Sequence, residues 1–143
     1  MSLRYRIIAS LGAVALVALA IFSATQSKTS EFASGTPEAT VQGFFKAMSE
    51  RDSEEARKYF VSDSPCELFE LDRQSLSQEI TIDLVESEVR GSEAKVKVRI
   101  RYSSNDMVSG WKEDQVIRLV KESSAWRITG TPWPLYDCEQ EKP

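Results

Sequence analysis

One run of strict alternation constrains this chain more than anything else in it. Ala94, Val96, Val98, Ile100 and Tyr102 alternate with Lys95, Lys97, Arg99 and Arg101. Apolar and charged residues at a period of two mark a strand with one buried face and one wet face. Such a strand needs a partner in phase with it, and the preceding residues supply one. Residues 79–90 are predicted to pair with it through a two-residue turn at Gly91-Ser92, placing Glu88 opposite Lys95 and Glu86 opposite Lys97. Carried on unbroken, this pairing sets Asp83 against Ile100 and Leu84 against Arg99, which mixes the two faces. A β-bulge at Leu84-Val85 restores the phase. It puts Asp83 opposite Arg99, Ile82 opposite Ile100 and Ile80 opposite Tyr102. Acids then face three of the four basic side chains, and Arg101, facing Thr81, is left unpaired. The basic stripe therefore reads as a solvated, cross-paired sheet face rather than a site for anionic lipid head groups or cell-wall polymers.

A second hairpin is predicted beyond it. Residues 111–121 carry Ile117 and Leu119, turn near Ser123-Ser124 and return through Trp126 and Ile128, with Leu119 facing Ile128. Thr131-Pro132-Trp133-Pro134 is predicted extended, because each proline pushes its predecessor away from helix. Ahead of the strands the period changes. Thr36 is a good helix N-cap and Pro37 suits the first helical position. Val41, Phe44, Phe45 and Met48 then fall on one helical face. Gly43 costs that helix about 1 kcal/mol against alanine, which points to close packing on a neighbour. Asp52 restarts the helix, and Ala56, Tyr59 and Phe60 form its apolar side. Residues 66–71 are a third short helix or a turn. The fold class is α+β: a helix pair, with or without a third short helix, packed on a curved antiparallel sheet of about four strands.

The chain's 143 residues suit one such domain plus an appendage. Residues 7–22 (IIASLGAVALVALAIF) hold no charge, Arg4 and Arg6 precede them, and no acid appears before Glu31. A basic start followed by an apolar run marks a signal peptide or a single membrane anchor. Sixteen helical residues reach roughly 24 Å, short of a hydrocarbon core of about 30 Å. Ala18-Leu19-Ala20 offers a cleavage signal, yet it lies inside the apolar run. Both fates stay open. The organisation is thus 1–24 signal or anchor, 25–35 flexible tether, and 36–143 an extracytoplasmic domain. The expected location is the cell envelope, single-pass and membrane-anchored through residues 7–22, or secreted or periplasmic after cleavage.

Removing Arg4 and Arg6 with that segment leaves 16 basic and 22 acidic side chains, a net charge of −6. That is poor footing for binding nucleic acid. Both cysteines, Cys66 and Cys138, lie in the exported part, so a disulfide is expected, closing a loop worth roughly 4 kcal/mol. Two cysteines without any histidine do not make a usual metal site. Asp63, Glu67, Glu70 and Asp72 match no calcium-loop spacing and read as a solvated acidic turn. No serine lies in a G-x-S-x-G context, and no Gly-rich phosphate loop is present. No cofactor is expected.

The opening TPEATVQGFFKAMSERDSEEARKYF resembles the first helix pair of the nuclear transport factor two-like (cystatin-like α+β cone) superfamily, with Asp52 as the acid in its interhelical break. VIRLVKESSAWRI resembles that superfamily's closing hairpin, with Trp126 after the turn. The likeness covers residues 36–133 and is to small exported bacterial members of uncharacterised function. It implies an apolar pocket between helices and sheet, which Phe44, Tyr59, Tyr102 and Trp126 would line. Superfamily enzymes carry polar catalytic residues there, often Asp or His. The positions predicted to face inward hold no carboxylate, and the chain has no histidine. Trp111 and Trp133 are candidates for surface anchors to a partner. The expectation is a non-enzymatic accessory domain that binds a protein partner or self-associates. A carrier of a small apolar ligand is the alternative, and an enzyme with a buried acid the third reading.

Overall fold

The computed structural model describes residues 31–74, 76, 80–102, 110–136 and 138. The expected membrane or signal segment and the tether up to residue 30 lie outside the described residues. Thr36 caps helix α1 (Pro37–Glu50), accepting a hydrogen bond from the Ala39 N–H at 3.2 Å. Its buried face holds Val41, Phe44, Phe45, Ala47 and Met48. Arg51, at φ 58°, ends the helix in the left-handed conformation and returns its N–H to the Met48 carbonyl. A Cβ placed on Gly43 would lie 2.5 Å from Tyr59 Oη, so the glycine is what lets the second helix approach. That helix, α2 (Ser53–Arg57), starts where Asp52 accepts from the Glu55 N–H at 2.9 Å. The third helix exists: α3 spans Leu68–Arg73 and buries Leu71.

Four antiparallel strands follow, β1 (Ile80–Arg90), β2 (Glu93–Tyr102), β3 (Lys112–Glu122) and β4 (Ala125–Ile128), lying side by side in chain order. The bulge is where the alternation requires it: Leu84 faces Val98, Glu86 faces Lys97, and Val85 is the extra residue. Asp83, Ile82 and Ile80 face Arg99, Ile100 and Tyr102. Leu119 faces Ile128. Ser123 and Ser124 both take positive φ, 50° and 70°, the mirror-image turn that suits the twist of a two-residue hairpin.

The core fills the space between the helices and the inner face of the sheet. Phe44 lies edge-on to Phe60 at 5.4 Å between ring centroids. The tail corrects two expectations. Thr131-Pro132-Trp133-Pro134 does not run on extended: the Trp133–Pro134 peptide is cis and the Leu135 N–H donates to the Pro132 carbonyl at 2.7 Å, a proline turn of type VI. Trp133 is no surface anchor either. It is buried, 6.1 Å from Phe45 between ring centroids, because the turn carries it and Leu135 into the core. Cys138 follows and is joined to Cys66, with Cα atoms 4.8 Å apart and both residues buried.

Candidate functional site

The four aromatics expected to line a pocket divide into two kinds. Phe44 and Trp126 are core residues packed out of solvent. Tyr59 and Tyr102 sit at the rim, half-buried, with their hydroxyls engaged. Tyr59 Oη donates to Glu55 Oε1 at 3.2 Å, and Tyr102 Oη donates to Glu113 Oε1 at 2.9 Å. Desolvation, followed by the adjacent carboxylate, raises the pKa of each. Hollows of about 50 Å³ (Glu70, Arg73, Gln74, Leu135, Cys138) and about 20 Å³ (Met48, Arg51, Asp52, Ser53, Leu71, Asp72, Gln74) lie around α3. Both are far below the roughly 300–1,000 Å³ of a typical ligand site.

Glu113 corrects the expectation of an inner face without carboxylates. It pairs with Ile100 in the register, so it shares the side of the sheet that holds Ile117 and Leu119. Gln115 follows on the same face and its Nε2 donates to Tyr136 Oη at 3.3 Å. The signal was present: stepping back by twos from Ile117 gives Gln115 and Glu113. At this end the polar side chains of the inner face are bonded to the hydroxyls of Tyr102 and of Tyr136 in the tail.

Three of the four basic side chains are paired, but by other partners than expected, and Lys95 makes no ion pair among the described residues. Arg101 is not unpaired. Its guanidinium makes two hydrogen bonds to Asp83, at 2.7 and 3.1 Å, reaching diagonally across the pair. Arg99 instead makes two bonds to Asp114 on β3, at 2.6 and 2.9 Å, and Lys97 joins the same carboxylate at 3.3 Å. Arg99 stands directly opposite Asp114 in the β2–β3 register, a neighbour the β1–β2 pairing alone does not show, while Lys97 and Arg101 reach diagonally. These bonds, Arg99's first, hold the Asp114 pKa down at about 2. In the acidic turn, Glu70 Oε2 accepts from the Glu67 N–H at 3.0 Å, at the start of α3. Among the described residues no group of three or more acids and cysteines is placed to hold a metal ion.

The feature that sequence reasoning missed is the outer edge of β1. The other edge strand, β4, is covered: Phe60 bridges to Ile128, and the Val61 and Ile128 N–H groups bond across to Ile128 and Tyr59 carbonyls. Along β1, Ile80 and Ile82 pack against the core. Beyond them Leu84, Val85 and Val89 are 39%, 42% and 52% exposed. Leu84 and Val89 belong to the inner face, facing Val98 and Ala94, and stay largely exposed although Glu38 of α1 reaches Ser87 between them. Among the described residues nothing pairs with the outer edge of β1.

No protein-family model and no curated protein matches the chain. Solved structures do. A SEC-C motif containing protein from Rhodopseudomonas palustris is 12% identical over 69% of this chain and 79% of its own, with a TM-score of 0.55. An NTF-2 like protein of unknown function from Shewanella oneidensis MR-1 is 11% identical, covering 63% and 88%, with a TM-score of 0.44. An uncharacterized cystatin fold protein from Novosphingobium aromaticivorans is 12% identical, covering 63% and 92%, with a TM-score of 0.42. At such identities the likeness is one of fold alone.

Proposed function

We propose that this chain is a non-enzymatic accessory domain of the cell envelope that works by holding a protein partner. The observation that carries the reading is the exposed half of β1, where Leu84, Val85 and Val89 present apolar surface on a strand edge that nothing among the described residues pairs with. A long edge strand without a neighbour offers unpaired backbone groups to another chain, and its charges and bulge narrow which chain it accepts. The interior supports the same reading, since of the aromatics that would line a ligand pocket Phe44 and Trp126 are buried in the core and Tyr59 and Tyr102 are bonded at the rim. The place of action rests on the sequence: the apolar residues 7–22 would insert in the membrane, or direct export and be removed. The Cys66–Cys138 bond agrees with an oxidising compartment.

The test is affinity capture with the tagged full-length chain from gently solubilised membranes, beside a variant carrying Leu84→Ser and Val89→Ser. A partner recovered in near-stoichiometric amount by the parent and at least tenfold less by the variant supports the reading. Recovery of no protein above background, or equal recovery by both, contradicts it.

A further inference from the structure

We infer that the outer edge of β1 receives an extended segment of a partner in which apolar and basic residues alternate, added as a fifth strand. This rests on the reading of the domain as a partner-binding module and specifies the partner's chemistry.

The two faces of β1 differ in what they ask of a new neighbour. On the helix side past the bulge stand Leu84, Ser87 and Val89, facing Val98, Val96 and Ala94 on β2. On the other side stand Asp83, Glu86 and Glu88, facing Arg99, Lys97 and Lys95. A strand laid on the free edge meets the same side chains from the opposite direction. Its residues over the inner face must be apolar to cover Leu84 and Val89. Those over the outer face must be basic to match the acids. Asp83 and Glu88 already hold Arg101 and Arg90, Glu88 accepting from Arg90 Nε at 2.7 Å. Each carboxylate keeps lone pairs for a further donor. Glu86 is exposed and makes no ion pair among the described residues.

The same charges argue against a second copy as the occupant. Two β1 edges brought together antiparallel would face Asp83, Glu86 and Glu88 with one another, and like charges directly opposed are destabilising. The bulge guards the edge in a similar way, since a kinked strand pairs poorly with a flat one. Neither device repels a flexible basic segment. Within the fold, β2 is the demonstration: EAKVKVRIRY, residues 93–102, is the alternating apolar and basic strand that β1 already accepts on its inner edge.

That peptide is the probe. The oxidised domain, 15N-labelled, is titrated with a soluble synthetic peptide EAKVKVRIRY and, separately, with EAEVEVEIEY, in which acids replace the four basic residues. The expected result is that the basic peptide shifts the amide signals of residues 83–90 and slows their hydrogen exchange, and that the acidic peptide binds at least tenfold more weakly. Glu86→Lys with Glu88→Lys should reverse the preference at a cost in thermal stability, because it sets like charges opposite Lys97 and Lys95; Glu86→Gln with Glu88→Gln, which removes the acids without that repulsion, should abolish the preference. Two results overturn the inference: equal binding of both peptides, or shifts confined to residues outside β1. Dimerisation of the unliganded domain through β1 overturns it as well. The wider reading fails separately. If membrane capture recovers a partner that the Glu86→Lys/Glu88→Lys variant holds equally well, the binding role stands and the basic-strand chemistry falls.

Discussion

Gly43 and Tyr59 show how a single position carries opposed effects. Alanine at residue 43 would gain about 1 kcal/mol of helix propensity. Its Cβ would also meet Tyr59 Oη at 2.5 Å and Cζ at 2.6 Å, and overpacking of that kind costs about 1–3 kcal/mol. Gly43→Ala is therefore expected to destabilise the domain by about 1 kcal/mol. With Tyr59→Ala already present it should turn stabilising, a sign change that denaturant unfolding of the four proteins would reveal. Asp114 gives a pH dependence. Its folded pKa of about 2 lies below the ordinary 3.8, so its contribution is present above about pH 4 and is lost as pH falls toward 2. In melts across pH 2–6, the Tm gap between the parent and Asp114→Asn should be widest above pH 4 and close by pH 2. At this scale the sequence was legible for buried apolar residues and poorly legible for polar ones. The facing of Asp83 and Arg99 follows from alternation, but which guanidinium Asp83 holds depends on reach and rotamer, which alternation does not encode.

Among the elements, the β1–β2 hairpin was the most legible, bulge included, because one face is buried and a slip of one residue exposes a whole row. That logic gives a pair of deletions with different outcomes. Removing Val85 takes out only the extra residue and should leave both halves of β1 in register, with a Tm within a few degrees of the parent's. Removing Ser87 would set Glu86 opposite Val96 on the inner face and turn Val85 to the outer one, and is expected to lower the Tm clearly more than removing Val85 does. Circular dichroism melts separate the two. The proline-rich tail was misread because extended backbone before a proline does not fix the chain's direction, and here the segment turns back with Leu135 N–H bonded to the Pro132 carbonyl. Glu113 was missed because β3 was phased from its apolar residues alone, without stepping back through Gln115.

For the whole molecule, the pattern of helices followed by a meander was enough to reach the α+β architecture. The bare edge was not readable, because it depends on how far the helices extend over the sheet rather than on any residue of β1. The Cys66–Cys138 bond ties the start of α3 to the tail that carries Trp133 and Leu135. Its loss through Cys66→Ser with Cys138→Ser is expected to cost roughly 4 kcal/mol in the chain-entropy account, measurable by urea unfolding with intact and reduced parent as references. The central claim is that this domain acts by holding another protein on β1. The most direct measurement is site-specific photo-crosslinking in intact membranes, with benzoylphenylalanine at Val89 or, as a comparison, at Val116 on the outer face of β3, which is similarly exposed. A discrete adduct to another protein from position 89 and none from position 116 is the expected result. No adduct from position 89, or the same adducts from both positions, would contradict it.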